Sequence, residues 1–107
     1  MSSADPDRAL AALGDPRRRE LLELLGRAAG ATAGGLAAVL PVSRQAVAQH
    51  LAVLEEACLV TRRRAGRQVV FTVRTDGLTA AAGWLTARAT AWSERNDPAD
   101  QAEDPLL

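Results

Sequence analysis

The chain has 107 residues, 48 % hydrophobic and 24 % charged, which suits one domain with a packed core and leaves little room for a second module. No apolar run approaches the roughly 18 residues of a membrane span, and the N-terminus "MSSADPDRAL" lacks the basic and apolar blocks of a secretory signal. One cysteine builds no disulfide framework, so a soluble protein of the reducing cytoplasm is expected.

Turn and cap residues then divide the chain. Asp5-Pro6 reads as an N-cap followed by proline in the first helical position, and Gly14 closes that short helix. Asp15-Pro16 repeats the device and opens a helix through "RRRELLELLGRA". Its Leu21, Leu22, Leu24 and Leu25 form an apolar face, with Arg17, Arg18, Glu20 and Glu23 around the remainder. After a Gly/Ala loop, Thr32 caps a short third helix whose apolar residues are Leu36, Val39 and Leu40. Gly34-Gly35 stands where a capping box wants Glu or Gln, so this helix should start weakly. Pro41 ends it, and Ser43 caps a fourth helix from Arg44 to about Ala57.

From Leu59 the pattern becomes extended. "LVTRRR", Ala65-Gly66-Arg67 and "QVVFTVR" read as two strands around a glycine turn, a hairpin. Thr75-Asp76 starts a last helix through "GLTAAAGWLTARATAWSER", expected to end near Asn96-Asp97-Pro98. The expected division is one domain over residues 1–97 and an acidic, disordered tail over 98–107.

The formal net charge of zero conceals a separation. All 13 basic residues are arginine; residues 41–74 carry six Arg against two Glu, or +4, and residues 94–107 carry one Arg against five acids, or −4. The first excess suits an anionic partner.

On a helical wheel of the fourth helix, Val47, Leu51 and Leu54 form the core side, with Cys58 continuing the line. Gln45, Gln49, Ala52 and Glu56 point away, with Ala48 beside them. Small residues let such a face lie close to a grooved partner. Gln offers a donor and an acceptor for the adenine edge in the DNA major groove. Arg44 reaches a phosphate or a guanine, and the Ser43 hydroxyl with the helix N-terminal amides favours phosphate. The third helix, the Leu40-Pro41-Val42 link and the fourth helix make a helix-turn-helix pattern. The Arg-rich hairpin after it would be a wing.

"ALGDPRRRELLELL", "PVSRQAVAQHLAVLEEACLV" and "RRRAGRQVVFTV" together resemble the winged-helix repressors of the ArsR/SmtB family, from about Arg8 to Arg95. The resemblance implies a mainly α winged helix-turn-helix fold of order α-α-α-α-β-β-α. It also implies a homodimer through the first and last helices and repression from a partly palindromic operator of double-stranded DNA. The family's DNA-contacting positions carry over to Ser43, Arg44, Gln45, Gln49 and His50 on the fourth helix, and to Arg62, Arg64, Arg67 and Gln68 on the wing. His50 sits at the edge of the core face, as apt to pack as to graze phosphate.

Leu78, Leu85 and Trp92 are seven residues apart, with Ala82 and Ala89 between them and Trp84 just off the line. With Leu10 of the first helix, these are the expected dimer contacts. The helix "GWLTARATAWSER" resembles a family branch that has paired tryptophans and no metal site. The third helix, "TAGGLAAVL", has no Cys or His, and no metal or other cofactor is expected. Cys58 stands where the family often has glycine and reads as a small hydrophobe at a helix end. Two rivals remain: a sensor whose DNA release depends on Cys58 or on the Trp84/Trp92 region, and a winged helix used for protein–protein contact. The sequence identifies no effector. No nucleophile–histidine–acid set or phosphate-binding loop supports an enzyme.

Overall fold

The structure is a computed structural model and describes residues 4–95. The order is α1 (Pro6–Leu13), α2 (Pro16–Ala28), α3 (Ala33–Val39), α4 (Arg44–Glu56), β1 (Val60–Ala65), β2 (Gln68–Val73) and α5 (Asp76–Arg95), the winged helix-turn-helix order expected. Arg95 is still helical, so the end expected for α5 and the acidic tail both lie outside the described residues.

Each expected cap forms. Asp5 and Asp15 accept from the backbone N–H groups of Asp7 and Arg17 at 2.9 and 2.8 Å. Thr32 and Ser43 accept from Gly35 and Ala46 at 3.0 and 3.1 Å, so α1 to α4 each start with an orphan donor satisfied. The α1–α2 corner has a further device that the sequence pattern did not single out. Arg18, grouped above with the polar remainder of its helix, is half-buried. It donates through Nε to the Ala12 carbonyl at 2.7 Å and through Nη2 to that of Ala11 at 3.3 Å, while Arg19 reaches the Leu13 carbonyl at 2.6 Å. Two cations thus close the carbonyl end of α1, where the helix dipole favours positive charge.

The core forms where the apolar faces of the helices meet the base of the hairpin. Leu21, Leu25, Leu36, Val47, Leu51, Leu54, Ala57, Leu59, Val60 and Phe71 are buried together. Leu22 and Leu24 pack at its margin. Val39 departs from the expected apolar set of α3: it is 67 % exposed, while Leu36 is buried and Leu40 packs against the core. Cys58 departs from the line of Val47, Leu51 and Leu54. The helix stops at Glu56, and Cys58 adopts φ +60° and is only half-buried, while its neighbours Ala57 and Leu59 take the core positions.

The strands are antiparallel with Ala65 opposite Gln68 and Val60 opposite Val73, leaving Gly66-Arg67 as a two-residue turn with Gly66 at φ +64°. The hairpin is anchored at both ends of its base. Ala31, before α3, exchanges two backbone hydrogen bonds with Phe71 at 2.8 and 3.0 Å. Leu59 donates to the Leu54 carbonyl at 2.9 Å and accepts from Arg74 at 2.8 Å. The wing is therefore tied both to the entry of α3 and to the exit of α4.

Candidate nucleic-acid interface

The outer face of α4 is as the wheel predicts. Val47, Leu51 and Leu54 are fully buried, whereas Ser43, Arg44, Gln45, Ala48, Gln49, Ala52 and Glu56 are exposed. The two amides therefore project from a helix that is otherwise seated in the core, and their side chains are free to exchange water for base edges. His50 is half-buried. The Asp15 carboxyl at the start of α2 is held below the usual carboxylate range chiefly by the Arg17 backbone N–H, and the Arg18 guanidinium adds to this.

Strand alternation sorts the wing. Arg62 and Arg64 share the face that carries Phe71 and Val69, and Arg63 lies on the other face with Thr61. The Thr61 and Thr72 hydroxyls, 3.0 Å apart, pin the pair across the strands. Arg63, Arg64, Arg67 and Gln68 are exposed. Arg62 is exposed as well, its side chain by 53 %, but its guanidinium is paired with Glu55 of α4.

A cleft of 410 Å³ opens between the entry of α3, the first turn of α4 and the tip of the hairpin. Thr32, Gly34 and Gly35 line one wall; Arg44, Arg67 and Gln68 bring polar groups to it, and Phe71 lies at its base. Arg44 lies against Gly34, where a Cβ would stand 3.7 Å from its Cζ. The fold brings together three of the expected contacts from segments 23 residues apart in sequence. Two of them are cations, in a concavity that suits an anion.

The residues expected at a dimer contact lie on a different side. Leu78, Trp84, Leu85 and Trp92 are 36–53 % exposed along α5. Ala82 and Ala89 are exposed between them, and Leu10 is half-buried on α1, which packs along α5. Only Gly77 and Ala81 of α5 are buried. An apolar groove of 330 Å³ at the meeting of α1, α2 and α5 is lined by residues including Leu13, Leu22, Val73 and Leu78, and neither tryptophan lines it. Among the described residues no three His, Cys, Asp or Glu side chains stand together as metal ligands, and no helix is long and apolar enough to cross a membrane.

Comparison with known proteins agrees with this geometry. A helix-turn-helix domain family matches residues 13–63, from the end of α1 into the first strand of the wing. The HTH-type transcriptional regulator Rv2034 of Mycobacterium tuberculosis is 49 % identical over 75 residues, covering 70 % of this chain and 69 % of that protein. The transcriptional repressor SdpR of Bacillus subtilis is 30 % identical over 74 residues, covering 69 % of this chain and 81 % of its own. Among solved structures, an ArsR-like transcriptional regulator from Rhodococcus sp. RHA1 superposes with a TM-score of 0.78 at 35 % identity over 94 % of each chain. Fold order, exposed α4 face and these likenesses converge: the chain belongs to the ArsR family of winged helix-turn-helix transcriptional repressors and is a DNA-binding regulator, not an enzyme.

Proposed function

We propose that the chain acts in the cytoplasm as a homodimeric repressor on a partly palindromic operator. Each protomer inserts the outer face of α4 into the major groove. Gln45 and Gln49 read base edges there, Ser43 and Arg44 hold the phosphate at the helix start, and His50 grazes the margin. The wing lies on the flanking backbone or minor groove through Arg64, Arg67 and Gln68, with Arg62 on the same strand face. The observation that carries this reading is the cleft in which Arg44, Arg67 and Gln68 meet beside the exposed amides of α4. The dimer is supported by the apolar surface of α5 and its neighbour Leu10, since a 20-residue helix with Leu78, Leu85 and Trp92 exposed has a large uncovered face. Two-fold symmetry then sets the half-sites about one helical turn, roughly 34–36 Å, apart.

The test uses duplexes from the DNA upstream of the chain's own gene and random-sequence duplexes, titrated by fluorescence anisotropy. Gln49→Ala is expected to weaken specific binding by about 1–3 kcal/mol and to leave random DNA almost unaffected. Arg64→Ala weakens both and reduces the salt slope by about 0.9. Unchanged operator affinity in Gln49→Ala would show that α4 reads through other residues. Tolerance of Arg-to-Ala changes throughout the wing, with no salt-dependent binding, would favour a protein–protein role.

A further inference from the structure

Among Arg62, Arg63, Arg64 and Arg67 of the two strands and their turn, Arg62 alone is paired with a carboxylate among the described residues. Its Nε donates to both oxygens of Glu55, at 3.0 and 3.1 Å, and its Nη2 lies 2.9 Å from Oε1. The guanidinium carbon also lies 5.4 Å from the centroid of the Phe71 ring, the buried aromatic at the base of the wing. Forked pairing and stacking on a ring are the two modes in which a guanidinium is held most firmly. A phosphate approaching Arg62 by its Nε–Nη2 edge would have to displace a carboxylate already fitted to those N–H groups, and one approaching the free Nη1 would meet a cation already neutralised by Glu55. Glu55 itself occupies the last turn of α4, where the helix dipole disfavours an anion and no basic residue of the helix offsets it. The neutralising charge comes from the wing.

We propose that Glu55 is a specificity-determining residue of the DNA-binding surface: it holds Arg62 on α4, so that Arg62 braces the wing and does not neutralise a DNA phosphate. The inference rests on the reading of the wing as a DNA contact. Sequence-independent affinity grows with the number of phosphates neutralised, so every free wing cation strengthens binding to all DNA alike. Base reading by Gln45 and Gln49 carries no such cost. By withdrawing one cation, Glu55 lowers the background of random binding while leaving the reading face intact.

The experiment compares wild type with Glu55→Gln, Arg62→Gln and the double variant on random-sequence duplex over a range of salt concentrations, with Arg64→Ala as the reference for a lost phosphate contact. Glu55→Gln is expected to steepen the slope of log affinity against log salt by about 0.9, because the released Arg62 gains a phosphate. Arg62→Gln and the double variant keep the wild-type slope. In wild-type protein labelled with nitrogen-15, the Arg62 Nε–H resonance stays in place when DNA is added. A shallower slope for Arg62→Gln, an unchanged slope for Glu55→Gln, or a shift of the Arg62 resonance on DNA addition each overturns the proposal. The resonance is read on the wild type and decides the matter even if a variant fails to fold. If the wild-type and Arg64→Ala slopes are both flat, the DNA reading of the wing fails. If Arg64→Ala behaves as a lost contact, an overturning result removes only the role of Glu55.

Discussion

Gly77 offers the sharpest test of how the fold is held together. It is buried at the start of α5 and donates its N–H to the Cys58 carbonyl at 2.8 Å. A Cβ there would stand 2.3 Å from the Ala57 carbonyl oxygen, 2.9 Å from Leu59 Cδ2 and 3.0 Å from the Cys58 carbonyl oxygen. Two of these three obstacles are backbone at the end of α4 and cannot rotate aside, so Gly77→Ala must push α5 away from α4. The substitution gains about 1 kcal/mol from helix propensity. Against this stand about 1–3 kcal/mol of overpacking and about 1 kcal/mol from the weakened hydrogen bond. The net loss is about 1–3 kcal/mol, which for a domain of this size lowers the Tm by roughly 5–20 °C. Thermal unfolding followed by circular dichroism, at one fixed protein concentration so that association does not intrude, measures it. Gly26→Ala is the control: Gly26 is exposed within α2 with nothing within 4 Å of its Cβ site, and the change should stabilise by about 0.5–1 kcal/mol. A Gly77→Ala protein that melts at or above wild type would refute the close approach of α5 to α4.

Ala29 and Cys58 hold φ of +57° and +60°, a region that costs a non-glycine residue about 1–2 kcal/mol. Ala29→Gly and Cys58→Gly should therefore each leave stability unchanged or raise it by up to about 1 kcal/mol, part of the gain being offset by the entropy of the unfolded glycine; a clear loss in denaturant titrations would contradict the left-handed assignments. The Asp15 and Asp76 carboxyls are held below the usual carboxylate range, Asp15 chiefly by the Arg17 backbone N–H and Asp76 by the Arg74 guanidinium 2.9 Å away. Each folded pKa is depressed, so the stability they contribute is present above the unfolded value and is lost as pH falls through the folded one; carboxyl-detected NMR titration with midpoints at or above the usual carboxylate range would remove this contribution. Leu85 is 51 % exposed on α5, and Leu85→Glu should leave the protomer folded while shifting sedimentation to a monomer under the proposed dimer reading; an unchanged sedimentation coefficient would move the interface elsewhere.

The elements were legible because their signals are local. Asp-Pro pairs, Thr32 and Ser43 begin helices through bonds that span two or three residues, and Gly66 marks a turn that needs a positive φ. The core side of α4 was equally legible, because helical period alone puts Val47, Leu51 and Leu54 on one face, opposite Gln45 and Gln49. Cys58 and Val39 were not, since the wheel assumes a helix that continues into core and both lie where a helix ends. Arg18 looked like a surface charge because nothing in the local pattern says that a preceding helix ends within its reach.

The order of elements, their caps, the outward face of α4 and the arginine richness of the wing follow from residues close together in the chain. How those charges are used is set by packing between elements. Arg62 and Arg64 are two residues apart and both exposed on one strand face, yet among the described residues only Arg62 is paired with a carboxylate, Glu55, and lies over the Phe71 ring. Arg44 and Arg67 are far apart in sequence yet line one cleft. The physical reason is that a charge's role depends on which counter-charge or ring lies within a few ångströms. That distance is set by packing between elements and is invisible in the spacing along the chain.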